Sequence, residues 1–175
     1  FDDAVRATLK PVLVSPQFLL RIEEDRPSTG APGVPVSDHE LAVRLSYFLW
    51  SSMPDDELFR LADAGTLADP ATLRTQVARM LKDPRAKALT ENFAAQWVQL
   101  RKLATARPTT EFFPTFNATL KEAMAAEVTA FFDHLRTQDR SVLDLLDADY
   151  TFANEPLAKH YGLAGVTGKE TRKVA

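Results

Sequence analysis

The chain has 175 residues, with 21 Lys and Arg against 24 Asp and Glu, so its formal net charge is −3. Its 45% hydrophobic and 26% charged residues are the balance of a soluble globular protein long enough to bury a core. The absence of cysteine excludes disulfides, thiolate zinc sites, iron–sulfur clusters, a cysteine nucleophile and covalent haem attachment within the chain.

The acidic balance argues against a nucleic-acid binder, and no run of about 18 apolar residues is present to span a membrane. Phe1-Asp2-Asp3 shows neither an initiator Met nor a signal segment, and Gly168–Ala175 is polar. Both ends read as cuts through a longer polypeptide.

Helical signals come first in chain order. A helix is expected from Asp3 to about Lys10, and Ser15-Pro16 opens a second that runs to about Glu24. Asp25–Val36, rich in Pro and Gly, is a linker and a boundary. Ser37-Asp38-His39-Glu40 is a capping box for a helix reaching about Ser51. Pro54 is expected at the first position of the next helix, with Gly65 as its stop. Asp69-Pro70 and Asp83-Pro84 repeat one device, an Asp cap followed by Pro, and predict helices over 70–81 and 84–103. Leu89, Phe93, Trp97 and Leu100 in the second of these have the spacing of a buried stripe. Pro114 is expected to open a helix reaching about Arg136. Ser141 with Asp144 predicts a short helix over Val142–Leu146, and Asn154 caps a last one ended by Gly162. No segment alternates apolar and polar residues long enough to predict a strand.

Glu40-Leu41-Ala42-Val43-Arg44-Leu45-Ser46-Tyr47-Phe48-Leu49-Trp50-Ser51-Ser52-Met53-Pro54-Asp55-Asp56-Glu57-Leu58 resembles the opening signature of the domain of unknown function 1592 family. The likeness continues at Val77–Arg85, Asn92–Trp97 and Asp149–Gly162, and covers roughly residues 37–174. Leu13–Arg21 is similar to the end of the neighbouring 1595 family. The resemblance implies three segments: 1–24 as the tail of a preceding module, 25–36 as a linker, and 37–175 as the domain itself. It further implies an exported, multidomain parent with a planctomycete-type cytochrome c domain. That places haem c elsewhere in the parent, the location in the periplasm or cell envelope, and the partners among neighbouring domains of the same polypeptide. It implies no reaction.

Three histidines invite a ligand reading. His39 sits in a helix's first turn, where solvation beside the cap is the plainer account. His134 lies near a helix C-terminus, seven residues after Glu127, so the two share a face two turns apart. His160 lies at another helix end. Either could serve as an axial haem ligand from outside, but a favourable position at a helix C-terminus explains both.

Glu127 lies beside an apolar stripe through Met124 and Phe131, and Arg44 lies between Leu41 and Phe48. A charge so placed needs a partner. Pairing of Glu127 and Arg44, with each other or with other charges, is the structural reading. The catalytic alternative makes Glu127 a general acid or base, with Arg44 and His134 as its companions.

Asp55-Asp56-Glu57 lacks the alternating acids and Gly turn of a calcium loop, and Asp144, Asp147 and Asp149 read as solvated acids. No metal site is expected. The aromatics raise a carbohydrate-binding reading, which requires ring faces open to solvent. Phe93 and Trp97 are expected to be buried, and Phe112-Phe113 to be exposed.

The expectation is therefore an all-α domain of seven to nine helices around one core. In function it reads as a structural, docking module without a cofactor of its own. The alternatives are part of an active site completed by neighbouring domains, and a carbohydrate-binding module.

Overall fold

A computed structural model describes residues 1–24, 27 and 35–175. The linker expected over Asp25–Val36 lies almost wholly outside them. The N-terminal segment forms α1 (Asp2–Leu13) and α2 (Pro16–Leu19), the latter capped by the Ser15 hydroxyl. α1 runs past its expected end through Pro11, and α2 stops five residues early. Neither helix buries a residue.

The next three helices are set by their caps. In α3 (Asp38–Trp50) the Glu40 amide donates to Ser37 Oγ and the Ser37 amide donates to Glu40 Oε2, the reciprocal pair the sequence predicts. In α4 (Asp56–Asp63) Asp55, not the preceding proline, is the cap, accepting the Leu58 amide at 3.1 Å. α5 (Pro70–Lys82) starts on the Asp69 carboxylate. Gly65, at φ +65°, reverses the chain between α4 and α5, in the left-handed region that favours glycine.

These helices enclose a first core of Ala42, Leu49, Trp50, Leu58, Leu61, Leu67 and Met80. Asp38 Oδ2 accepts the Leu67 amide at 2.7 Å and so ties the start of α3 to the turn before α5. The buried Trp50 donates its indole N–H to the Met80 carbonyl at 3.0 Å, and the Arg85 guanidinium lies 3.5 Å above its ring.

The single helix expected over 84–103 is broken. A 3₁₀ turn (Pro84–Ala86) leads to a π-helical turn (Leu89–Ala94), then α6 (Ala95–Trp97) and α7 (Arg101–Thr105). The break falls at Gln99, whose φ is +57°. The Leu100 amide reaches back to the Ala95 carbonyl at 2.8 Å and closes the helix around it. Closures of this kind usually carry Gly, and here the sequence has none to announce it.

α8 (Ala118–Thr137) is the longest element. Asn117 caps it, three residues beyond the expected Pro114. α9 (Asp144–Asp147) follows, starting two residues later than expected, since Ser141 Oγ caps Leu143 ahead of the helix. Then come β1 (Thr151–Ala153), α10 (Glu155–Tyr161), capped by Asn154 and ended by Gly162, and β2 (Arg172–Val174).

β1 and β2 pair antiparallel, Thr151 opposite Val174, as the one sheet among the described residues. Three-residue strands are too short to leave an alternation in the sequence. Their pairing arises because Leu120, Ala123, Ala153, Leu157, Ala158 and Val166 bury one another in a second core along α8. The architecture is mostly α, as expected, but with two cores instead of one.

Candidate functional site

The chemistry-bearing side chains singled out from the sequence divide between two places. Arg44 projects from α3 toward the N-terminal segment and pairs with Glu23, its Nε donating to Glu23 Oε1 at 2.5 Å and its Nη2 meeting the other oxygen. The guanidinium beside Glu23 holds that carboxyl below its ordinary range, and Glu23 raises Arg44. Arg44 therefore satisfies its charge 21 residues back along the chain, not on Glu127.

Glu127 and His134 share one face of α8, opposite β1, α10 and β2. Glu127 is half-buried and accepts two hydroxyls. Thr151 Oγ1 donates to its Oε1 at 2.5 Å, and the Tyr161 hydroxyl donates to its Oε2 at 2.8 Å. One carboxylate thus joins α8, β1 and α10. Burial, and then the negative neighbour, push the Tyr161 phenol up to about 12, so it stays protonated and donating at neutral pH.

Two turns along α8, His134 stands edge-on to Tyr150, with centroids 5.4 Å apart, and tilts against Phe152 at 5.2 Å. Its Nε2 lies 3.5 Å from the Lys173 Nζ on β2. Burial is the main cause holding the imidazole below its ordinary pKa, with Lys173 and Arg140 adding repulsion against the weaker pull of Asp144. His134 is accordingly a neutral ring at neutral pH, and the favourable imidazolium expected at a helix C-terminus is not what this environment stabilises.

Tyr150 completes the arrangement. Its ring stacks on Phe131 at 5.3 Å, the Lys173 ammonium lies 3.6 Å from its centroid, and its hydroxyl donates to Asp144 Oδ2 at 2.8 Å. Arg140 Nε donates to the same oxygen at 2.9 Å. The Tyr150 hydrogen bond, opposed by burial and helped by Arg140, keeps Asp144 below its ordinary pKa, and burial raises Tyr150.

Tyr150, Thr151 and Tyr161 fall inside the segment that carries the family likeness, yet nothing in their spacing marks them as partners of Glu127 or His134. Asp144, one of three acids weighed as a loose cation cluster, is committed to Arg140 and Tyr150. Among the described residues no group of three or more His, Asp or Glu gathers closely enough to hold a metal ion. His39 Nε2 lies 3.0 Å from Asp63, and His160 leans on Tyr161 with centroids 5.6 Å apart.

Two grooves lie elsewhere on the surface. One of about 680 Å³ runs between α7 and α8, past Leu103, Pro108, Phe116 and Lys121. A smaller one of about 300 Å³ lies between the start of α8 and α10, beside Pro156 and His160. Neither is lined by Glu127, His134 or Arg44. The arrangement around Glu127 and His134 is thus a set of satisfied polar contacts that locks α8 to the second core.

Fold and site together define a mostly helical domain in which one long helix carries a carboxylate–hydroxyl lock and an aromatic–histidine cluster. Residues 36–163 match the family PSD4, described as a protein of unknown function (DUF1592), and the chain belongs to that family. No curated protein and no solved structure matches the chain. β2 lies beyond the matched residues, although it closes the sheet that the matched part begins.

Proposed function

We propose that the chain is a structural, docking module of a larger exported, haem-associated polypeptide, and that α1 and α2 are the part that docks. One observation carries this reading. From Phe1 to Ile22 the segment exposes a continuous series of large apolar side chains, among them Val5, Leu9, Val12, Phe18 and Leu19, and buries none of them. An apolar surface of that extent marks a contact with another body. The occupant is the preceding module of the same polypeptide, supported by the likeness of residues 13–21 to the end of the 1595 family. The Arg44–Glu23 pair then serves to hold that docked segment on α3.

Support for haem and export comes from the company these two families keep with cytochrome c domains. The residues of this chain do not fit a haem of their own. No thiol is present to attach one, and His134 is wedged between Tyr150 and Phe152 with Nε2 facing the Lys173 ammonium.

Hydrogen exchange tests the docking. In the polypeptide extended upstream through the preceding module, amides of residues 2–19 exchange at least about tenfold more slowly than in the 175-residue chain, while those of α3–α5 are unchanged. Equal exchange of residues 2–19 in both would overturn the reading.

A further inference from the structure

The stripe that reads as buried in the sequence is not the one that faces inward. Ala86, Thr90 and Ala94, four residues apart, are all buried, and Thr90 Oγ1 donates to Asp133 on α8 at 2.7 Å. The small side chains of Thr90 and Ala94 lie in the turn that packs on α8, while Ala86 belongs to the first core. The bulky stripe lies one residue away, about 100° around the helix. Leu89 still reaches the first core, but Phe93 and Trp97 roll out to the rim, 46% and 58% exposed.

They do not stand alone there. Phe48 of α3, 54% exposed, meets Phe93 edge-on with centroids 5.5 Å apart. The rings of Phe93 and Trp97 are nearly parallel, 14° apart in plane and 6.2 Å between centroids. Phe132 of α8 supports Trp97 from the far end at 6.0 Å, edge-on. The result is a row of four rings across four elements, in which Phe48, Phe93 and Trp97 are each about half exposed. Its backbone is irregular where the rings emerge, with the π-helical turn through Phe93 and the left-handed Gln99 two residues after Trp97. Departures of this kind cost stability and gather at ligand sites.

The polar residues beside the rings are uncharged. Asn92, Gln96 and Gln99 are exposed next to Phe93 and Trp97 in the chain, and Asn92 Nδ2 donates to Ser51 Oγ at 2.7 Å. Lys87 and Glu91 neutralise each other at 2.9 Å, and the Lys102 ammonium donates to Gln99 Oε1 at 2.6 Å. Amides and a hydroxyl around aromatic faces complement a ligand with apolar C–H faces and hydroxyl edges and no charge. Lys102 places one cation at the Gln99 end of the row, and the chain's net charge of −3 would repel a polyanion.

We propose that Phe48, Phe93 and Trp97 form a binding platform for a neutral carbohydrate chain, whose pyranose rings stack on the aromatic row while Asn92, Gln96 and Gln99 hydrogen-bond its hydroxyls. The platform uses none of the residues assigned to docking, so its test does not depend on that role.

The chain reports on the proposal itself. Its two tryptophans are Trp50, 3% exposed, and Trp97, so fluorescence quenching by a ligand on this surface comes from Trp97. The 175-residue chain is titrated with cellohexaose, xylohexaose and mannohexaose, and sedimented with insoluble cellulose, xylan, mannan and chitin. At least one glycan is expected to bind, and Phe93→Ala and Trp97→Ala are each expected to weaken binding about tenfold or more. Phe113→Ala, which removes an exposed ring elsewhere, is expected to leave binding unchanged. Matching melting curves establish that the variants are folded.

Failure of every glycan to bind would overturn the proposal, as would binding that survives both substitutions. So would loss of Trp97 accessibility to iodide in the longer polypeptide, because the row would then be a contact between modules.

Discussion

The two cores of this protein are held by different means. The first, from α3 to the 3₁₀ turn, is built from capped helices tied by bonds to the backbone, from Leu67 to Asp38 and from Trp50 to Met80. Each helix starts on its own cap, and one carboxylate, Asp55, both caps α4 and takes two hydrogen bonds from Arg79 at 2.7 and 3.1 Å, with Arg85 3.7 Å away. The second core is closed by hydroxyl donors and a strand pair, over sequence distances like those in the first. Glu127 reaches 24 and 34 residues ahead to Thr151 and Tyr161, and β1 finds β2 near the end of the chain. The first core is complete by the 3₁₀ turn, whereas the second depends on β2 arriving in register.

The sharpest way to break this contrast is to cut each core at its fully buried leucine. Leu58→Ala and Leu157→Ala each remove a side chain with no exposed surface, and each is expected to cost about 2–5 kcal/mol in chemical denaturation. Hydrogen exchange separates them. Leu157→Ala should speed exchange at β1 and α10 while α3–α5 stay protected, and Leu58→Ala should do the reverse. Loss of protection across both cores in either variant would show one cooperative unit.

A smaller effect is expected at Asp55. Asp55→Ala removes a helix cap and a two-pronged ion pair, and is expected to destabilise by about 2 kcal/mol. Arg79 is the main cause holding the Asp55 pKa below its ordinary value, against desolvation. The folded state binds this proton less readily than the unfolded chain does. Its contribution is therefore complete above the unfolded value, near 4, and is lost as pH falls through the lowered one. The acid limb of the stability profile should flatten in Asp55→Ala.

The smallest effect tests the second core. His134 has a lowered pKa when folded, so the unfolded chain takes the proton first. The second core should be most stable above about pH 6.5 and lose stability as pH falls below it. The loss continues until the folded pKa is passed. The cause is first the burial of an imidazolium and then its repulsion by Lys173 and Arg140. His134→Gln should remove this slope from the pH dependence of β1 and β2 amide exchange, and a slope that persists would place its origin elsewhere.

Legibility in the sequence followed the range of the interaction. Ser37, Asp69 and Asn154 act within three residues, so their helix starts are visible in one dimension. Pro114 misled because Asn117, three residues later, offers a side-chain oxygen to the free amides, which proline cannot do. Phe93 and Trp97 misled for a geometric reason. Periodicity shows which residues share a face but not which face a neighbouring helix can approach, and here the side of Thr90 and Ala94 is the one turned inward. The expected charge on Glu127 and Arg44 did find partners in each case. Which partners they found was not readable, since Thr151, Tyr161 and Glu23 differ in no local respect from other polar residues.

By itself the sequence determined a helical, cysteine-free domain, most of its helix starts and the family to which it belongs. These depend on residue type and on contacts a few positions apart. The tertiary structure alone decided that there are two cores, that β2 returns to β1, that Glu127 is locked by hydroxyls while Arg44 turns to Glu23, and that an aromatic row faces outward. Each of those depends on which surfaces meet when distant segments pack, and that is settled by side-chain volume across the interface.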